Sequence, residues 1–170
     1  PQARARARAA RGLRRQVDME TRAQTEVAAR SPGGSAHVEA AIQLMAGFAE
    51  RTGLTGDAPS RRYLLTDAFA VCNWLGLART TGDSNLQELA LQLVSAVHHT
   101  LGRHRLDDRR RGWLDGADED NPTRGGLRIG KPRPERSPGE RPDERLEWER
   151  DGQYFPYLTR WMHALRAVGH

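Results

Sequence analysis

Tyr63-Leu-Leu-Thr-Asp-Ala-Phe-Ala-Val-Cys-Asn-Trp-Leu-Gly-Leu-Ala78 and Ser84-Asn-Leu-Gln-Glu-Leu-Ala-Leu-Gln-Leu-Val-Ser-Ala-Val-His-His-Thr-Leu101 are the two runs on which the fold turns. In the first, Leu64, Ala68, Val71, Leu75 and Ala78 recur at steps of three and four, which places them on one face of a helix. Leu65, Phe69, Cys72 and Gly76 form a second apolar stripe beside it. A helix apolar around most of its circumference is expected to be buried on more than one side. In the second run Leu86, Leu89, Leu93, Val97 and Leu101 face one way while Glu88, Gln92, Ser95 and His99 face the other. This helix is amphipathic and half exposed. Between them Gly82 suits a left-handed C-cap, and Asp83 or Ser84 can cap the next helix, with Gln87 completing a capping box after Ser84. An inner helix closed over by an outer one is the layering of a helical ring.

Around this hairpin the spacing predicts two more helices. Val38, Ile42, Met45, Phe48 and Ala49 mark one near 36–52, after a break at Ser31-Pro-Gly-Gly-Ser35. Tyr154, Leu158, Trp161, Leu165 and Val168 mark another near 153–168, where Pro156 fits only the first turn. The hairpin helices themselves are expected near 61–79 and 84–104. Thr55-Gly-Asp57 returns as Thr81-Gly-Asp83, a connector that hints at repeated hairpins. Periodicity stops over 105–152, a long irregular loop with isolated apolar anchors at Trp113, Leu114, Leu127, Ile129, Leu146 and Trp148. A connection of this length inside one domain is either functional or disordered, and the anchors favour a loop held against a surface.

The 170 residues carry a net charge of +5, and residues 1–30 account for it with eight arginines against Asp18, Glu20 and Glu26. The other nineteen basic and nineteen acidic residues cancel, so the basic character belongs to an Ala/Arg-rich extension over 1–35, read as flexible. That extension interleaves no aromatics for base stacking, so nucleic acid is not expected as a partner. No apolar run is long enough to span a membrane, no signal peptide is visible, and membrane association is not expected. Cys72 is the sole cysteine; its place in an apolar stripe suggests a buried, inert thiol and a reducing, cytoplasmic setting. No histidine cluster has metal-ligand spacing, and neither a phosphate loop nor a nucleophile elbow is present, so neither metal nor cofactor is expected.

Chemistry-bearing side chains collect in three places. Asp67 lies on the apolar inner helix, where it either caps the helix start or faces a polar cavity. Trp113 and Asp115 open the loop beside Asp107 and Asp108 and a run of arginines, a composition suited to sugar hydroxyls and ring faces. Glu147, Trp148, Asp151 and Tyr154 form the densest group of acids and aromatics, directly before the last helix. On this reading Asp151, Glu147 and Asp67 are the candidate general acid and base groups. Trp113, Asp115, Trp148 and Tyr154 are the candidate substrate contacts.

Arg62-Tyr-Leu-Leu-Thr-Asp-Ala-Phe-Ala-Val-Cys-Asn-Trp-Leu75, Thr81-Gly-Asp83, Gly126-Leu-Arg-Ile-Gly130 and Asp143-Glu-Arg-Leu-Glu-Trp-Glu-Arg-Asp-Gly-Gln-Tyr-Phe155 through Leu165 resemble a known family. Over roughly 36–168 the chain looks like part of an (α/α)6 toroid of the six-hairpin glycosidase type, the architecture shared with N-acylglucosamine 2-epimerase-like proteins. The resemblance implies an all-α fold of helical hairpins and a carbohydrate pocket at one end of the ring. It further implies a fragment of a glycoside hydrolase or sugar epimerase, inactive in this form. The expected partner is a small carbohydrate, with a homo-oligomer formed through exposed inner helices as a further expectation. The alternative is a noncatalytic helical interaction module.

Overall fold

The computed structural model describes residues 32–137 and 139–169. The chain divides into two units, Pro1–Leu44 and Met45–His170. Readings placed on residues 1–31 lie outside the described residues. The described part is all-α, and among the described residues the only β pairing is two isolated bridges, Arg103 with Trp113 and Arg133 with Arg150.

Among the described residues five helices follow in order: α1 Pro32–Arg51, α2 Leu64–Thr81, α3 Ser84–Leu101, the single turn α4 Glu144–Glu147, and α5 Phe155–Val168. Helix α1 starts within the expected break at Ser31–Ser35. Proline costs nothing at a first helical position, where its missing N–H would have no partner, and the two glycines after it are carried along. Positions 32–35, expected to belong to the 1–35 extension, are helical.

Helix α2 is the central element. It packs against both α3 and α5, and Phe48 at the end of α1 meets Trp74 edge-on with ring centroids 6.0 Å apart. Its buried face holds Leu64, Ala68, Val71 and Leu75 as the spacing predicted, with Asp67, Ala70 and Trp74 beside them. The second stripe behaves differently. Leu65, Cys72 and Gly76 are half-buried and Phe69 is 56% exposed, because α3 and α5 approach from other sides. Cys72 is thus half-buried rather than buried, although the burial it has pushes its thiol pKa up.

The turn into α3 follows the predicted chemistry with one change. Gly82 closes α2 in the left-handed region at φ 76°, and its N–H donates to the Ala78 carbonyl. Asp83 is the N-cap of α3, accepting from the Asn85 N–H at 2.9 Å. A cap at Asp83 moves every cap position back by one, so the Ser84/Gln87 capping box does not form. Leu86, Leu93, Val97 and Leu101 are buried as expected, while Glu88, Gln92, Ser95 and His99 are exposed. In α5, with Pro156 in its first turn, Trp161 and Ala164 are buried. The Trp161 indole N–H donates to His98 Nε2 of α3 at 3.3 Å.

The stretch 102–154 is held in place by backbone bonds to helix ends. The Arg128 N–H donates to the Leu101 carbonyl at 2.9 Å, Ile129 N–H to the Gly152 carbonyl at 2.8 Å, and the Leu64 N–H to the Ile129 carbonyl at 3.0 Å. One short segment thus satisfies the end of α3 and the start of α2, where helices leave backbone groups without partners. Leu114, Leu127 and Ile129 are buried, and full burial of a Leu or Ile side chain contributes roughly 1.5–3 kcal/mol each. Trp148 is no anchor: it is 80% exposed, because the α4 turn carries it outward. Gly130 is required at its position. With φ at 86°, a Cβ there would stand 2.1 Å from the Arg62 carbonyl oxygen.

Candidate functional site

Asp151 is the hub of the loop. Its carboxylate is 1% exposed, and both oxygens are occupied. Oδ1 accepts from the N–H groups of Gly130 at 2.8 Å, Lys131 at 3.3 Å and Gly152 at 3.0 Å. Oδ2 accepts from Arg105 at 3.3 Å and from Arg128. The guanidinium groups are in turn fixed by carbonyls: Arg105 by those of Lys131 and Pro132, Arg128 by those of Arg103 and Thr100. A buried carboxylate is stable only when its charge and lone pairs are all matched. Here they are, and the consequence is a rigid floor.

Over that floor lies a cleft of about 580 Å³, within the size range of ligand pockets. Its walls are polar. Asp107, Asp108, Asp115 and Glu135 stand against Arg109, Arg110 and Arg136, with Gln153 at one side. Asp108 is held well below the usual carboxylate range by the Arg110 side chain and backbone N–H, and Asp107 is lowered by the Arg105 guanidinium. Those two are spoken for. Among the described residues Asp115, Glu135, Arg109 and Arg136 make no ion pair, so two carboxylates and two guanidinium groups remain to meet a ligand.

Of the seven residues singled out from sequence, two line this cleft, Asp115 and Asp151. With both oxygens engaged, Asp151 holds its neighbours in place. Asp67 sits at the start of α2, where Oδ2 accepts the Tyr63 N–H at 3.0 Å. Of the two roles open to it, the helix-capping one is observed. Oδ1 lies 3.7 Å from Arg62 Nη1, both side chains fully buried, without a hydrogen bond. Burial raises the Asp67 pKa to about 6, and the Arg62 charge and Tyr63 N–H only partly offset it. Glu147 is paired with Arg150 at 3.3 Å. Trp113 carries the Arg103 guanidinium 4.4 Å from its ring centre and the His99 ring at 5.5 Å. Trp148 stands in solvent. Tyr154 lies beside Gly152 but does not itself line the cleft. The candidates therefore do not converge on one point.

Arg105, Arg128, Glu135, Arg136 and Gln153 were not singled out from sequence, yet they line the cleft. One signal was available. Arg128 alternates with Leu127 and Ile129 in a segment between two glycines, and a charge inside a buried run requires a partner. Identifying Asp151 as that partner, 23 residues away, takes coordinates. Among the described residues no three His, Cys, Asp or Glu side chains are grouped so as to hold a metal ion, and no helix is long and apolar enough to cross a membrane. Comparison with protein-family models, curated proteins and solved structures finds no match for this chain.

Proposed function

We propose that the protein is a carbohydrate-binding part of an α/α toroid, with the cleft over Asp151 as its sugar site. The observation that carries this reading is the cleft's lining. Sugar hydroxyls both donate and accept, and Asp115 and Glu135 offer free acceptors beside the free donors of Arg109 and Arg136. The Asp151 network fixes the floor under those groups through Gly130, Lys131, Gly152, Arg105 and Arg128. The central position of α2, flanked by α3 and α5, is compatible with an inner helix of a ring. Glycoside hydrolysis and sugar epimerisation both fit this reading, with Asp115 and Glu135 as the carboxylates that reach the ligand and Asp151 as a positioning residue. Saturation-transfer NMR and calorimetry with glucose, mannose, N-acetylglucosamine and N-acetylmannosamine test it. Binding of at least one sugar, weakened tenfold or so by Asp115→Asn or Glu135→Gln, is the expected result; each such hydrogen bond to a charged group contributes about 1.5–3 kcal/mol. No binding by any of the four sinks the reading.

A second reading has one observation in its favour. The Leu65, Phe69, Cys72 and Gly76 stripe of α2 is left partly uncovered, and a second copy of the chain could cover it. On that reading sedimentation shows a dimer that Phe69→Glu converts to monomer. A wild-type monomer at high concentration removes it.

A further inference from the structure

Tyr154 is the N-cap of α5, a position where Ser, Thr, Asp or Asn would satisfy a helix N–H. Its side chain makes no such bond. The ring is 40% exposed, and it is braced. It meets Tyr157 edge-on at 6.1 Å, Tyr157 meets Tyr63 edge-on at 5.9 Å, and the Tyr63 and Tyr157 hydroxyls lie 3.0 Å apart. The Lys131 ammonium, 5.1 Å from the Tyr63 ring centre, closes the row. An exposed aromatic held by a stack has little rotamer freedom left to lose on binding.

The row starts beside Gly152, which lines the cleft. A side chain at Gly152 would put its Cβ 3.3 Å from Glu135 Oε1 and 3.4 Å from Tyr154 Cε2. Glu135 of the cleft and the Tyr154 ring therefore both border Gly152, which is itself buried.

We infer that the ligand is a chain of at least two sugar rings, one among the charged groups of the cleft and the next stacked on the half-exposed Tyr154 ring beside Glu135. The inference rests on the carbohydrate reading above. A pyranose presents a rim of hydroxyls and a face of C–H bonds, so the first ring suits the carboxylates and guanidinium groups and the second suits an aromatic face. No charged side chain is needed at the second position.

Calorimetry on the full chain with glucose, maltose and maltotriose, with glucose, cellobiose and cellotriose, and with N-acetylglucosamine and its β-1,4 dimer tests this. In the series that binds, the disaccharide should bind about five- to tenfold more tightly than the monosaccharide. Tyr154→Ala should remove that gain, while Tyr154→Phe keeps it. Equal affinity for one ring and two overturns the inference and leaves the sugar site standing, as does a Tyr154→Ala loss equal for both lengths. Absence of binding by every probe overturns the carbohydrate reading and this inference together.

Discussion

Replacing Asp151 by alanine removes the acceptor from five N–H groups at once, the amides of Gly130, Lys131 and Gly152 and the side chains of Arg105 and Arg128. The guanidinium groups keep their carbonyl partners and some exposure, so they are not wholly abandoned. The amides of Gly130 and Lys131 have no other acceptor in the loop. Removing one partner of a buried charge pair costs about 3–5 kcal/mol, and the partial rescue of both arginines places Asp151→Ala near the lower end. Urea denaturation followed by tryptophan fluorescence reads this directly. With a slope of roughly 1–3 kcal/mol per M, a loss of about 3 kcal/mol moves the midpoint down by roughly 1–3 M. Asp151→Asn keeps one oxygen for the amides but loses the charge and turns an NH2 donor toward the two guanidinium groups, so it should still destabilise, by less than the alanine variant. Amide exchange at Ile129, whose N–H donates to the Gly152 carbonyl, should quicken in both variants. A midpoint change below about 0.5 M at unchanged slope for the alanine variant would refute the claim that this carboxylate holds the loop.

Two further predictions follow from the start of α2. Burial raises the Asp67 pKa from 3.8 to about 6, so the folded chain retains a proton that the unfolded chain has released. Its contribution to stability is present below about pH 4 and is lost as pH rises through about 6, by up to about 3 kcal/mol. The stability of wild type relative to Asp67→Asn, the isostere of the protonated acid, should therefore fall as pH rises through that window; parallel curves would show that the raised pKa is absent. Gly130→Ala forces both a left-handed backbone and a Cβ against the Arg62 carbonyl, at a cost of 3 kcal/mol or more, roughly. Gly82→Ala meets open space and should cost only about 1 kcal/mol. Thermal melts of the two variants compare them, and equal losses contradict the close approach of Gly130 to the chain.

The helices were legible in the sequence because they are local. Steps of three and four in Leu64–Ala78 and Leu86–Leu101 mark buried faces whatever the partner, and Gly82, Asp83 and Pro156 mark ends through backbone conformations that only a few residues adopt or favour. Pattern also overreached. The Leu65–Gly76 stripe is as apolar as its neighbour, yet burial depends on where other helices lie, and α3 and α5 leave Phe69 exposed.

The candidate site was hardly legible at all. Asp115 and Asp151 were found because acids beside aromatics draw attention, whereas Glu135, Arg136 and Gln153 look like any solvated loop. Composition and periodicity by themselves determined an all-α chain with a central apolar helix, a half-exposed partner and a long anchored loop. Tertiary structure alone decided that Asp151 is locked between two arginines, that Asp67 caps a helix, and that Arg128 and Asp151 line the same cleft. The reason is range: a helix is written in neighbours a few positions apart, while a carboxylate's chemistry is set by groups 20 or more residues away that only the folded chain brings within hydrogen-bond reach.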